Sequence, residues 1–210
     1  MGNIANRRSV MTLFSSPSCH QCHRTRMVLA EKGITYEVTN VENNELPEDL
    51  VELNPYNSVP TLIDRELVLY EARVINEYLD ERFPHPPLMP VDPVSRAKSK
   101  IALYRMDRDW YGLVEKIEHG SESEADQARR ALGETLTANA ELFAFKPFYL
   151  SDEISLLDCA IAPLLWRLPL YGIELPPQAK AVIKYANKIF ELPSFQTSLS
   201  DAEREMRPEF

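Results

Sequence analysis

The segment Cys19-His20-Gln21-Cys22-His23 holds the most reactive side chains of this sequence. A loop rich in Ser and Pro precedes it and a helical pattern follows, so Cys19 is expected at the N-terminus of a helix. There the helix dipole favours the thiolate and lowers the pKa of the thiol. Cys22 follows three residues later on the same helical face, where it could resolve a mixed disulfide formed at Cys19. The alternative is that both cysteines are inert small residues at the start of the helix.

The same segment offers two Cys and two His as metal ligands. A structural zinc site normally needs a second pair of ligands elsewhere in the chain. His85 and His119 are isolated in the sequence, and Cys159 lies in an apolar helical pattern. The sequence therefore predicts no metal site.

Val59-Pro60 is the second informative pair. The residues before it, Asn54-Pro55-Tyr56-Asn57-Ser58, are typical of a turn, and a strand pattern follows. A proline in a tight turn before a strand is a candidate for a cis peptide bond, and the context favours cis over an ordinary trans turn. A C-x-x-C after the first strand of a βαβ unit is typical of thioredoxin-like proteins. In that fold a cis-proline leaves the backbone of the preceding residue free to pair with a bound peptide.

The elements that must position these residues follow the order βαβαββα. Strands are expected near residues 10–14, 34–41, 59–63 and 67–70, and helices near residues 19–32, 46–53 and 71–83. This order predicts an α/β domain with a small mixed sheet and helices packed on it. On the first helix, Met27 and Leu29 are expected in the core, whereas Arg24, Arg26, Glu31 and Lys32 are expected in water.

A proline-rich stretch separates this domain from a helical one. Five prolines between Pro84 and Pro93 indicate a stiff connector, and the rest of the chain has helical periodicity. The last residues, 201–207, are expected to be a solvated end. The sequence therefore predicts a thioredoxin-like α/β domain over residues 8–86, a linker over residues 87–95 and an all-α domain over residues 96–210.

Composition narrows the function classes. The chain has 210 residues and a formal charge of −9, whereas a direct nucleic-acid binder normally has a basic excess. Three cysteines do not make a disulfide framework, and no apolar stretch is long enough to span a bilayer. We therefore expect a cytoplasmic protein whose partners are small molecules or other proteins.

Several motifs together resemble the glutathione transferase superfamily. They are Cys22-His-Arg-Thr-Arg-Met-Val-Leu-Ala-Glu-Lys-Gly33, Asn54-Pro-Tyr-Asn-Ser-Val-Pro-Thr61, the segment from Leu69 to Arg82, and Ser155-Leu-Leu-Asp158. The proline segment, Asp109-Trp110-Tyr111, the segment 162–169 and the ending Ala202–Arg207 more narrowly resemble the stringent starvation protein A family, the branch associated with RNA polymerase. The similarity extends from Arg8 to Arg207.

The resemblance implies a bacterial transcription regulator of stationary phase and stress. It implies a homodimer bound to the RNA polymerase holoenzyme with a sigma factor, without direct sequence-specific nucleic-acid binding and with little or no transferase activity. Transferases hold the γ-glutamyl carboxylate with an acidic residue and a Ser, whereas Glu71-Ala72 lacks the hydroxyl. Val59, Pro60 and Glu71 would then form only a residual glutathione site, so no cofactor is expected beyond weakly bound glutathione.

Pro84, His85, Pro86 and Pro87 are the expected partner-binding residues. Flanking prolines restrict His85 and reduce the entropy that is lost when a partner docks. The family uses this segment for its regulatory function, and Leu88 and Met89 would extend it as an apolar ridge. The alternative is a simple spacer between the domains.

A second function remains open at Cys19. Members of the stringent starvation protein A family commonly lack a cysteine at this position, where enzymes of the superfamily keep a catalytic Ser or Cys. The alternative to a non-catalytic regulator is therefore a glutathione-dependent thiol oxidoreductase or transferase that uses Cys19, with Cys22 as its second thiol.

Overall fold

A four-stranded mixed sheet lies at the centre of the first part of the chain. Its strands are β1 (Met11–Ser15), β2 (Tyr36–Asn40), β3 (Thr61–Asp64) and β4 (Leu67–Tyr70), in the spatial order β2-β1-β3-β4. β1 runs parallel to β2 and antiparallel to β3, and β3 and β4 form an antiparallel hairpin. The computed structural model describes residues 10–42 and 45–207.

Three helices complete the predicted order βαβαββα. They are α1 (His20–Glu31), α2 (Glu48–Leu53) and α3 (Ala72–Arg82). Gly33 has a positive φ of 62° after α1, and the Ile34 amide donates to the Leu29 carbonyl, so the helix ends where a glycine permits the left-handed turn. The order and the mixed sheet confirm the α/β, thioredoxin-like fold predicted for this part of the chain.

Most of α1 is buried, and this contradicts one prediction. Arg24, Arg26 and Lys32 were expected in water, but each is less than a tenth exposed. Arg26 is covered by residues near the end of the chain, and Lys32 reaches Asp80 on α3. A charged residue on a helix is normally solvated, so the burial of Arg26 and Lys32 depends on these distant partners.

The main elements of the rest of the described chain are helices. They are α4 (Pro93–Arg105), α5 (Gly112–His119), α6 (Glu122–Ala138), α7 (Ala140–Phe145), α8 (Leu156–Trp166), α9 (Lys180–Phe190), α10 (Pro193–Ser198) and α11 (Asp201–Glu205). A π-helical turn, Met106–Tyr111, joins α4 to α5, and a short 3₁₀ turn, Pro177–Ala179, precedes α9. None of the helices in the described part of the chain has the length and apolar character needed to cross a membrane.

The start of α8 is held by a capping box formed by Ser155 and Asp158. The Asp158 carboxylate accepts the Ser155 amide at 2.8 Å, and it also accepts the Tyr149 amide and the Tyr185 hydroxyl. Burial raises the pKa of Asp158 above its usual value, although these donors oppose the shift. Trp110 and Trp166 are both buried.

The chain divides into two compact units. The first contains the described residues of Met1–Pro86 together with Thr197–Glu205, and the second contains those of Pro87–Gln196 and Met206–Phe210. Pro93, within the predicted linker, already begins α4, with Asp92 as its N-cap. Residues 197–205 were expected in the helical domain but pack with the first unit. The expected solvated end is also wrong for Glu203, which is fully buried.

Candidate functional site

Cys19 occupies the N-cap position of α1. Its Sγ accepts a hydrogen bond from the Cys22 amide at 3.3 Å, and the side chain is partly exposed. An acceptor at this position satisfies one of the amides that a helix N-terminus leaves unpaired. The thiol therefore lies where the sequence places it, at the positive end of a twelve-residue helix.

Cys22 is in a different environment. Its side chain is fully buried, and its Sγ accepts a hydrogen bond from the Ser16 amide at 3.4 Å. Burial raises the pKa of Cys22 well above the usual value, and the neighbouring Cys19 raises it further. A resolving cysteine attacks as a thiolate, so this environment opposes that role for Cys22.

The two histidines of the segment face protein groups. His23 is fully buried, with Nε2 at 3.0 Å from Ser198 Oγ and Nδ1 at 3.5 Å from Glu203 Oε1. His20 is also buried. Among residues 10–42 and 45–207, no three His, Cys, Asp or Glu side chains come close enough to hold a metal ion.

The Val59-Pro60 bond is cis, as the sequence predicts. Val59 precedes β3, which begins at Thr61, so Val59 lies outside the ladder of the sheet. Two buried polar residues hold the turn before it: Asn54 Nδ2 donates to the Ser58 carbonyl and to Thr61 Oγ1, and Thr61 Oγ1 donates to the Ser58 carbonyl. Sequence reasoning missed the roles of Asn54 and Thr61, although both lie in the motif.

The register of the sheet brings the predicted residues to one edge. Thr61 pairs with Phe14 on one side and with Tyr70 on the other. The loop after β1, which leads to Cys19, therefore lies at the same end of the sheet as Pro60 and Glu71. Val59, which precedes Pro60, lies at this edge as well.

Glu71 has a strained backbone at this edge. Its φ is 71°, in the left-handed region that costs a residue with a side chain about 1–3 kcal/mol. It is the N-cap residue of α3 and its side chain is exposed, without a capping hydrogen bond. The next residue, Ala72, is buried and has no hydroxyl. An anion here would depend on the backbone amides at the start of α3.

Pro84, His85, Pro86 and Pro87 are all exposed, and the His85-Pro86 bond is cis. The backbone at both ends of this segment is held by Lys32, whose side chain is completely buried. Its ammonium donates to Asp80 Oδ1 and to the Phe83 carbonyl, both at 2.7 Å, and also to the Pro86 carbonyl. A charged group with three acceptors holds the backbone strongly, so this exposed segment has a fixed shape.

Leu88 and Met89 do not extend this surface. Both were expected on an apolar ridge with the prolines, but Leu88 is 1% exposed and Met89 is 4% exposed. The Leu88 carbonyl accepts the Leu156 amide at 2.9 Å, so the chain turns inward directly after Pro87. Two large apolar side chains gain more from burial in their own domain than from exposure beside a loop.

Comparisons with known proteins agree with this architecture. The family model for the glutathione S-transferase N-terminal domain matches residues 9–81, and the one for the C-terminal domain matches residues 122–185. Among solved structures, rice GST1 in complex with glutathione superposes with a TM-score of 0.83 over 95% of this chain and 96% of its own. At 21% identity that likeness concerns the fold.

Relatives with higher sequence identity include proteins of two bacteria. The stringent starvation protein A homolog of Coxiella burnetii is 49% identical over 202 residues, which cover 96% of this chain and 97% of the relative. The homolog of Pasteurella multocida is 49% identical and covers 95% of this chain and 94% of its own length. With this identity over nearly the whole length of both proteins, the chain belongs to the stringent starvation protein A family of the glutathione transferase superfamily.

Proposed function

We propose that this protein regulates transcription by binding RNA polymerase. In this proposal it acts in the cytoplasm during stationary phase and stress, binds the holoenzyme with its sigma factor, and has little or no transferase activity. The observation that carries the proposal is the exposed segment Pro84–Pro87, whose backbone is held by the buried ammonium of Lys32.

The shape of this segment suits a protein-binding surface. A loop that is already ordered loses little conformational entropy when a partner docks, so more of the contact energy appears as affinity. His85 offers donor and acceptor nitrogens on an exposed ring, and the prolines beside it offer apolar contact without flexible side chains. These properties favour recognition of a folded protein surface.

The glutathione-type edge supports a non-catalytic role. Ala72 provides no hydroxyl at the start of α3, and a hydrogen bond to a charged group contributes about 1.5–3 kcal/mol. Its loss weakens carboxylate binding by about ten- to a hundredfold. In the proposal, Val59, Pro60 and Glu71 therefore keep the form of a glutathione site with much reduced affinity.

The charge of the chain supports action through a protein partner. A formal charge of −9 opposes close approach to the DNA backbone, so the proposal assigns promoter contact to the polymerase.

The described residues also offer a surface for a second copy of the chain. Val94 and Ile101 lie on one face of α4, and both are more than 60% exposed. Such an apolar row on a helix favours the homodimer in our proposal.

A capture experiment tests the proposal. Immobilised wild type and the His85→Ala and His119→Ala variants are compared for binding of purified bacterial RNA polymerase holoenzyme. We expect His85→Ala to weaken capture by about tenfold or more, as truncation of a central contact residue does. His119 is an exposed histidine on α5, so its variant is the matched control and should bind like wild type. Failure of wild type to bind the holoenzyme would reject the proposal.

A second candidate function is glutathione-dependent thiol transfer at Cys19. The observation that favours it is the partly exposed thiol at the N-terminus of α1, close to the edge that carries Pro60 and Glu71. The test is the rate of glutathione-dependent disulfide reduction by wild type and by Cys19→Ser. A rate above background that disappears in Cys19→Ser supports this function, and equal background rates exclude it.

A further inference from the structure

A groove in the second unit lies between the end of α7 and one face of α9. Its volume is about 470 Å³. Phe143 and Tyr185 form its buried floor, and Phe145, Lys146, Lys184 and Lys188 line its rim. We call it the basic groove. Three lysines around one groove are unexpected in a chain whose acidic residues outnumber its basic ones by 32 to 23.

The positive charge of the basic groove is only partly neutralised. Lys146 forms an ion pair with Asp152 at 2.6 Å, so it contributes little net charge. Lys188 donates to the Pro147 carbonyl at 2.6 Å and lies 3.8 Å from the centre of the Phe148 ring, which leaves its full positive charge in place. Within the part of the chain that the structure describes, Lys184 has no carboxylate partner.

Helix stability accounts for only part of this arrangement. A lysine in the last turn of α9 interacts favourably with the helix dipole, and this explains Lys188. Lys184 lies in the middle of the helix, where the dipole offers no such gain. Lys180 precedes it by four residues, so three lysines follow one another at helical spacing along α9.

The groove is also apolar. Phe145 is 72% exposed at its rim, although a phenylalanine gains about 1.5–3 kcal/mol from burial. The rings of Phe143 and Tyr185 lie below, 5.1 Å apart and nearly perpendicular. An exposed aromatic beside an apolar floor, with cations around it, is the composition of a surface that binds a partner.

We propose that the basic groove binds an acidic peptide segment of a partner protein, with one aromatic or aliphatic side chain inserted over Phe143 and Tyr185. Carboxylates of the segment pair with Lys184 and Lys188, and the apolar anchor contacts Phe145. A peptide fits better than a nucleic acid because the groove admits one or two side chains and the chain as a whole repels a long polyanion. The inference does not depend on polymerase binding.

Fluorescence anisotropy with a defined probe tests this site. The probe is a labelled peptide of about twelve residues, rich in Glu and Asp, with a central Leu-Phe pair. Wild type is compared with Lys184→Glu, Phe145→Ala and the control Lys116→Glu, which reverses an exposed lysine on α5. Because Lys184 and Phe145 are exposed, the variants should keep the fold, and circular dichroism verifies this. Lys184→Gln is the milder second variant.

We expect Lys184→Glu to weaken binding by about tenfold, and Phe145→Ala by about fivefold, with no change in Lys116→Glu. Affinity should fall as salt rises from about 50 to about 300 mM, because exposed charge pairs are screened. A peptide with Lys in place of every acidic residue should not bind. The proposal is overturned if wild type does not bind the acidic peptide, if Lys184→Glu binds it equally well, or if an oligothymidylate of similar length binds more tightly.

Discussion

Cys19 and Cys22 differ in chemistry although they lie one helical turn apart. Cys19 is partly exposed at the N-cap of α1, whereas Cys22 is fully buried and burial raises its pKa. Cys159 is also fully buried, within α8. Reactivity with an electrophile requires both the thiolate and access to it, so only Cys19 meets the requirement for access.

The three thiols should therefore differ in their rate of alkylation. In folded protein at pH near 8, iodoacetamide should modify Cys19 and leave Cys22 and Cys159 largely unmodified. Peptide mass spectrometry after a short pulse measures the extent at each site, and a denatured sample, in which all three react, is the control. Labelling of Cys22 as fast as that of Cys19 would contradict the burial argument.

Lys32 connects the end of α1 to α3 and to the exposed segment after α3. The ion pair with Asp80 is buried, and the same ammonium binds the carbonyls of Phe83 and Pro86. A buried ion pair often stabilises a protein no more than apolar residues of the same size would. Its role here is better explained by geometry, because an apolar side chain cannot hold two carbonyl groups.

Single and double substitutions distinguish these roles. Lys32→Met should lower the free energy of unfolding by about 3–5 kcal/mol, because it leaves the Asp80 carboxylate buried without its cation. Lys32→Met combined with Asp80→Leu should recover most of the lost free energy of unfolding. Polymerase capture should be weak in both variants, because neither has the ammonium that binds the Phe83 and Pro86 carbonyls. Urea unfolding measures the free energy of unfolding, and the capture assay measures polymerase binding.

Lys116→Met, at an exposed position on α5, is the matched control and should leave the free energy of unfolding and polymerase capture unchanged. If the double variant captured polymerase as well as wild type, Lys32 would have no positioning role. Wild type and His85→Ala are measured in the same assay. A loss of capture caused by Lys32→Met is thereby distinguished from a protein that does not bind polymerase at all.

Residues near the end of the chain complete the first unit of the molecule. Glu203 is fully buried and accepts a hydrogen bond from the Arg26 guanidinium, although 177 residues separate the two. Arg26 also donates to the Ser198 carbonyl at 2.8 Å and to Ser15 Oγ at 2.7 Å. The stability of the thioredoxin-like sheet and its helices thus depends on a segment from the far end of the sequence.

Glu203→Ala should destabilise the protein by about 3–5 kcal/mol, because Arg26 would remain buried without its carboxylate. The exposed Glu205→Ala in the same helix is the control, with an expected change below about 0.5 kcal/mol. Far-UV circular dichroism during urea unfolding measures the stability, because it follows the secondary structure of both units, whereas tryptophan fluorescence follows only the second unit, which holds both tryptophans. Equal stability of the two variants would show that the segment does not support the first unit.

The local sequence by itself determined those features of this protein that depend on residues close together in the chain. The order βαβαββα, the helix end at Gly33, the cis bond at Pro60 and the Ser155–Asp158 capping box all depend on neighbouring residues or on hydrophobic periodicity. The family followed from motifs in the same way. These features were predictable because short-range geometry restricts the backbone strongly.

Tertiary structure alone decided which charges and apolar groups are buried. The sequence predicts Arg26 and Lys32 in water, because charged side chains are normally solvated. It predicts Leu88 on the surface, because Leu88 directly follows the exposed prolines. Their burial depends on Glu203, Asp80 and Leu156, which are 177, 48 and 68 positions away. A charge can be buried only where a partner and further hydrogen bonds replace water, and periodicity carries no information on partners so distant.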